Sequence, residues 1–180
     1  MSDVSEIQKQ RAIEAAQGYL VLELPDAALR RLSIFDDAKS TPPAVEQLRG
    51  EVYRQKEDYE RALKHFERVP TDAGSHVELR MSMAWCFKRI GRLDKAIESL
   101  KSAYRESPKT TVVLYNLACY YALAGDKEEA LSWLGRAIRL DNSYRLRVPR
   151  ETDFDSIRND QDFLHLMQLS EPKKKTQEKS

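Results

Sequence analysis

The chain has little of what catalysis usually needs. It has three histidines and two cysteines among 180 residues. The histidines, His65, His76 and His165, fall on three different predicted elements. The cysteines, Cys86 and Cys119, have no CxxC spacing and no histidine nearby. That pattern predicts reduced, largely buried thiols and no metal site. The six glycines are scattered singly, so no backbone cradle for phosphate is formed. HExxH, GxSxG, Walker A and GxGxxG motifs are all missing. No cofactor is expected, and paired acids such as Asp36–Asp37 and Glu128–Glu129 read as solvated helix surface. These absences argue against an enzyme.

Charge of one sign is missing too. Lys and Arg number 30 against 29 Asp and Glu, for a net charge of +1. A dedicated nucleic-acid binder usually carries a basic excess, so nucleic acid is not an expected partner. No run approaches the roughly 18 apolar residues of a membrane span, so membrane insertion is not expected either. Met1–Gln10 is polar, with Asp3 and Glu6, and lacks the basic start and apolar stretch of a secretion signal. The expected location is cytoplasmic.

What is present is a period. Ala28, Ala62, Ala96 and Ala130 recur every 34 residues. Three more columns keep the same step. One is small (Ala16, Gly50, Ala84, Ala118), one aromatic (Tyr19, Tyr53, Phe87, Tyr121) and one aliphatic (Leu29, Leu63, Ile97, Leu131). The chain is one supersecondary unit repeated four times. Within each unit, two apolar stripes run at helical spacing. Leu114, Leu117, Ala118 and Tyr121 form one, and Ala130, Leu131, Leu134 and Ala137 the next. Small residues such as Ala84 and Ala96 let two helix backbones approach closely. Gly91 and Gly125 supply the tight turn in the last two units. Pro25 and Pro43 suit helix starts, Ser75 suits an N-cap, and Pro108 punctuates the third and fourth units. The pattern predicts helices at about 3–22, 25–37, 43–56, 58–69, 75–90, 93–106, 109–124 and 126–140.

These columns resemble the tetratricopeptide repeat (TPR) pattern: a small residue, an aromatic, alanine, a large apolar residue, a small residue, then proline. Ala84, Phe87, Ala96, Leu100, Ala103 and Pro108 match it throughout. The fourth unit matches with Ala118, Tyr121, Ala130, Leu134 and Ala137, and has Asn142 in place of proline. The first two units match less fully; Phe35, Val69 and Gly74 depart. The resemblance implies an all-α, right-handed superhelix of about four helix–turn–helix repeats (about 9–42, 43–76, 77–110 and 111–144), within residues 1–142. A capping segment would come next at 143–170, because a stack leaves its last apolar face uncovered. Its Phe154, Ile157, Arg158, Asp160 and Phe163 resemble the tail that closes many such arrays. Residues 171–180, rich in lysine, read as a disordered charged tail.

The resemblance also implies a role. First helices of such repeats line a concave groove that holds a partner's peptide or helix. Here the groove would take in Arg54, Met81, Trp85, Lys88, Arg89, Tyr115 and Cys119, with Met81, Trp85 and Tyr115 as an apolar anchor, unless Trp85 and Tyr115 pack on each other or on the C-terminal cap. A protein-interaction adaptor with an unidentified protein or peptide partner is the leading expectation. A self-assembling scaffold, hence a homo-oligomer, is the alternative. The basic residues that chaperone-binding repeats use to clamp a terminal carboxylate are not supplied: the equivalent positions hold Ile13, Gln17, Leu48, Glu78 and Ser82. Trp133 stands where the other repeats have Arg31, His65 and Ser99. It should therefore face water, unless the segment around Phe154 covers it or it forms a second contact surface.

Overall fold

The structure is a computed structural model that describes residues 5–36, 41–70 and 76–168. The segment 171–180 and the expected cap Ser75 lie outside these residues. The described residues hold helices and no strand. The chain divides into two compact units, one ending at Glu106 and one beginning at Ser107.

The first unit contains α1 (Glu6–Val21), α2 (Pro25–Leu32), α3 (Pro43–Gln55), α4 (Tyr59–Phe66), α5 (Val77–Arg89) and α6 (Leu93–Glu106). The second contains α7 (Thr111–Leu123), α8 (Lys127–Leu140), 3-10 turns at Asn142–Leu146, Val148–Arg150 and Thr152–Phe154, and α9 (Gln161–Gln168). The all-α class expected from the period is observed. Helices pair as antiparallel hairpins, and within the first unit each hairpin packs on the next. Two expected ends are shorter. Helix α2 stops at Leu32 and tightens into a 3-10 turn that buries Phe35, and α4 stops at Phe66.

The four columns explain the hairpins. All four alanines of the first column are fully buried. Gly50 is glycine because a Cβ there would stand 2.3 Å from the ring of Phe66 on α4. The aromatic column ends each first helix. The backbone N–H groups of Leu24, Asp58, Arg92 and Asp126 donate to the carbonyls of Tyr19, Tyr53, Phe87 and Tyr121. The residue just before each donor has a positive φ: Glu23 at 55°, Glu57 at 58°, Gly91 at 76° and Gly125 at 79°. This is the Schellman closure of a helix C-terminus, used four times. Asp58 and Asp126 then cap the next helix, accepting from the backbone N–H of Arg61 and Glu129. Asp160 caps α9 in the same way, accepting from the N–H of Asp162 at 2.9 Å.

Candidate partner-binding face

In the first unit, α3 and α5 present neighbouring faces. Met81, Trp85 and Lys88 keep helical spacing along one side of α5, with Arg89 beside them. Trp85 is 37% exposed. It is nevertheless held firmly. Tyr59, the first residue of α4, meets it edge-on at 5.4 Å. The guanidinium groups of Arg54 and Arg89 lie 5.5 and 5.4 Å from its ring centre, within cation–π range. Arg89 Nε also donates to the Tyr59 hydroxyl at 3.2 Å.

A polar ladder fixes this frame. Ser82 Oγ donates to Glu51 Oε1 at 2.5 Å, and Arg54 Nε donates to Glu51 Oε2 at 2.6 Å. Gln55 Nε2 donates to the Leu20 carbonyl at 2.8 Å and ties α3 to α1. Beneath lies Cys86, fully buried; burial pushes its thiol pKa up to about 12, with the positive charge of Arg54 opposing. That thiol is inert at neutral pH, as the sequence suggests for a structural cysteine.

Arg54, Met81, Trp85, Lys88 and Arg89 therefore belong to one unit and one neighbourhood. Tyr115 and Cys119, expected in the same groove, lie on α7 and are 5% and 2% exposed. The chain's own C-terminal segment is the reason. Tyr144 packs on the Tyr115 ring at 4.9 Å and Phe154 meets it edge-on at 5.9 Å. Phe163 of α9 backs Phe154 at 5.8 Å. Burial pushes the Tyr115 phenol well above its ordinary pKa of 10, with the Cys119 sulfur reinforcing it.

Trp133 is buried as well, at 7% exposure. Its Nε1 donates to Glu129 Oε2 at 2.8 Å, and the Arg136 guanidinium stands 4.6 Å from its ring centre. A water-facing Trp133 is thus corrected: its own helix supplies a hydrogen bond and a charged cover. Sequence reasoning missed Tyr59. The signal was available, because its register holds Pro25, Leu93 and Lys127 in the other repeats, so a tyrosine there is unusual.

The histidines occupy three separate places. His65 on α4 stacks on Tyr53 and contacts buried Glu46 at 2.7 Å, His76 precedes α5, and His165 lies on α9. Among the described residues, no helix is long and apolar enough to cross a membrane.

Comparison with known proteins bears on the fold. Profiles described as tetratricopeptide repeat match residues 48–111 and 112–144. No curated protein matches. Several solved structures do. MamA AMB-1 is 26% identical with a TM-score of 0.64, covering 72% of this chain and 76% of its own. YrrB, described as a TPR protein with an unusual peptide-binding site, is 22% identical with a TM-score of 0.68, covering 77% and 72%. A double mutant of MamA RS-1 is 17% identical with a TM-score of 0.68, covering 93% and 98%. The two profiles together run through more than half of the residues, along the columns that build the hairpins, and the chain belongs to the tetratricopeptide repeat family.

Proposed function

We propose that the protein is a non-catalytic interaction module that holds a peptide or helix of a partner protein on the α3/α5 face. Trp85 carries this reading. A large aromatic side chain left partly in water, yet braced by Tyr59, Arg54 and Arg89, is an anchor prepared before binding. Little rotamer freedom remains to be lost when a ligand covers it. Met81 extends the apolar surface along α5. Lys88, Arg89 and Arg54 set its charge, which favours a ligand with an acidic residue beside an apolar one. YrrB, a relative in fold, is described as having a peptide-binding site, which is consistent with this use of the scaffold. The buried Tyr115 and Cys119 are left out of the proposed contact.

The test is selection of ligands from a displayed random-peptide library on the full chain. Enriched peptides should combine acidic and apolar residues. They should lose at least about tenfold in affinity on W85A and on R89E, with helicity retained. Ligands that bind W85A as well as the original would overturn the assignment.

Self-assembly is the second reading, and one observation favours it. Val21, Leu22 and Leu24 are all exposed at the α1–α2 turn, an apolar cluster at one edge of the first unit. Light scattering over a concentration series tests it. A monomer throughout the series removes this reading, while replacing Leu22 and Leu24 with serine should dissolve any oligomer.

A further inference from the structure

Tyr115 and Cys119 sit one turn apart on α7, on the face that meets the 3-10 turns at 148–154. There the Cys119 sulfur and one carboxylate oxygen from each of Glu151 and Asp153 all lie within 4.8 Å of one another. Cys119 is 2% exposed, Asp153 is 8% exposed and Glu151 is half-buried. Glu151 Oε1 accepts from the Asp153 backbone N–H at 3.3 Å, and a thiol with two carboxylates this close together is a donor set that a cation can bridge.

A second observation points the same way. The Tyr115 hydroxyl is buried and has no hydrogen-bond partner. The groups that set its electrostatic surroundings are Cys119, Glu151 and Asp153, with Arg147 the opposing cation. Buried hydroxyls without partners are rare, and one whose charged surroundings are three metal-ligating groups marks room for a missing ligand.

We propose that Cys119, Glu151 and Asp153 bind one divalent ion of the zinc class, with the Tyr115 hydroxyl beside the remaining coordination position. The donor set selects the ion. Magnesium and calcium prefer six or more oxygens, and copper(I) prefers sulfur alone. Zinc accepts thiolate and carboxylate together in a four-coordinate shell. Cys119 gives up its thiol proton to solvent as the sulfur–metal bond forms. Thiolate and two carboxylates then place three negative charges around the ion, and Arg147 offsets the excess. With metal–sulfur and metal–oxygen distances of about 2.3 and 2.1 Å, the donors must close to about 3.5 Å from one another.

The site does not keep zinc-motif spacing, which is why the sequence hides it. One ligand comes from a helix and two from a turn more than thirty residues later. The ion would clamp the 148–154 segment onto α7, so its role is to secure the segment that covers this face.

The experiment uses the full chain, reduced and stripped with a chelator. Zinc alone is titrated in competition with a chromophoric chelator, and cobalt(II) alone is followed by absorption. One equivalent of zinc should bind, and cobalt should show a thiolate charge-transfer band. C119S should abolish that band and weaken zinc at least about 100-fold, and E151Q should weaken it at least about tenfold. C86A, which removes the other thiol, should keep both signals. If circular dichroism shows C119S unfolded, E151Q at its half-exposed position carries the test, and unaltered zinc affinity there overturns the proposal. Zinc binding weaker than about 100 µM overturns it, as does a cobalt spectrum without a sulfur band.

Discussion

Met81 and Trp85 on α5 occupy the same repeat register as Tyr115 and Cys119 on α7, yet they meet opposite fates. The first pair remains accessible; the second is sealed under Tyr144 and Phe154. Secondary structure does not make this difference, because each pair sits on a first helix closed by the same Schellman turn. The cause lies beyond α8. There the chain continues into a segment with three large side chains, Tyr144, Val148 and Phe154, all buried within the second unit. A repeat face is thus left open only where the chain does not fill it with its own residues.

The largest expected effect breaks the closed side of this comparison. Phe154 is fully buried between Tyr115 and Phe163. F154A should destabilise the second unit by about 3–5 kcal/mol. It should also release the covering segment, so that α7 amides exchange faster while α3 and α5 keep their protection. If α7 amides keep their original protection, the C-terminal segment is not what closes that face.

A smaller effect sharpens the comparison at the hairpin level. Gly50 stands in a column that holds alanine in the other repeats, and a Cβ there would meet the Phe66 ring. G50A should cost about 1–3 kcal/mol by overpacking against Phe66, measured by urea denaturation of the first unit. An unchanged midpoint would mean that Phe66 has room to turn aside.

The open side should behave differently. W85A removes an edge contact on Tyr59 and two cation–π contacts from a 37% exposed position, so stability should change by only about 1–2 kcal/mol. Loss of selected-peptide binding with that small stability change would separate a recognition residue from a packing residue. A loss of several kcal/mol in denaturant would instead identify Trp85 as part of the core.

Much of this architecture was legible because it repeats. Ala28, Ala62, Ala96 and Ala130 announce close helix contacts from spacing alone, and Gly91 and Gly125 announce the turns. The equivalent turns at Glu23 and Glu57 were silent, because a glutamate in left-handed backbone carries no sequence signal. It is tolerated there since the closing hydrogen bonds to Tyr19 and Tyr53 over-determine the turn. The basic residues around Trp85 were legible through the family resemblance, which implies that Arg54, Lys88 and Arg89 fall on inward positions. The covering of Tyr115 was legible only as one of two alternatives, packing on a C-terminal cap, without the side chains that do it. It depends on Tyr144 and Phe154 arriving from an irregular segment, where no period predicts which side chain lands on which helix. Tyr59 was not legible because it starts a second helix, whereas the resemblance places groove residues on first helices.

The smallest effect concerns how α9 is held to the closed unit. Lys127 Nζ lies 2.9 Å from Asp160 Oδ2 and 3.0 Å from Asp162 Oδ2. The hydrogen bond from Lys127 holds the Asp160 carboxyl below its ordinary value of 3.8. The hydrogen bonds to Asp160 and Asp162 raise Lys127 above its ordinary 10.5. The signs set two windows. The contribution of Asp160 is complete above pH 3.8 and is lost as pH falls through the lowered folded value. That of Lys127 is complete below pH 10.5 and is lost as pH rises through the raised one. Between those limits the attachment of α9 should not depend on pH. All three side chains are substantially in water, so screening keeps the effect small. Hydrogen exchange in α9 should rise modestly below pH 3.8 relative to a K127M variant measured at the same pH, while exchange in α7 stays level. If K127M and the original chain show the same acid dependence in α9, this ion pair does not hold the helix. Attachment then rests on the Arg145 guanidinium, which donates to the Leu166 and Met167 carbonyls, and on apolar contact such as Leu166 against Gly135.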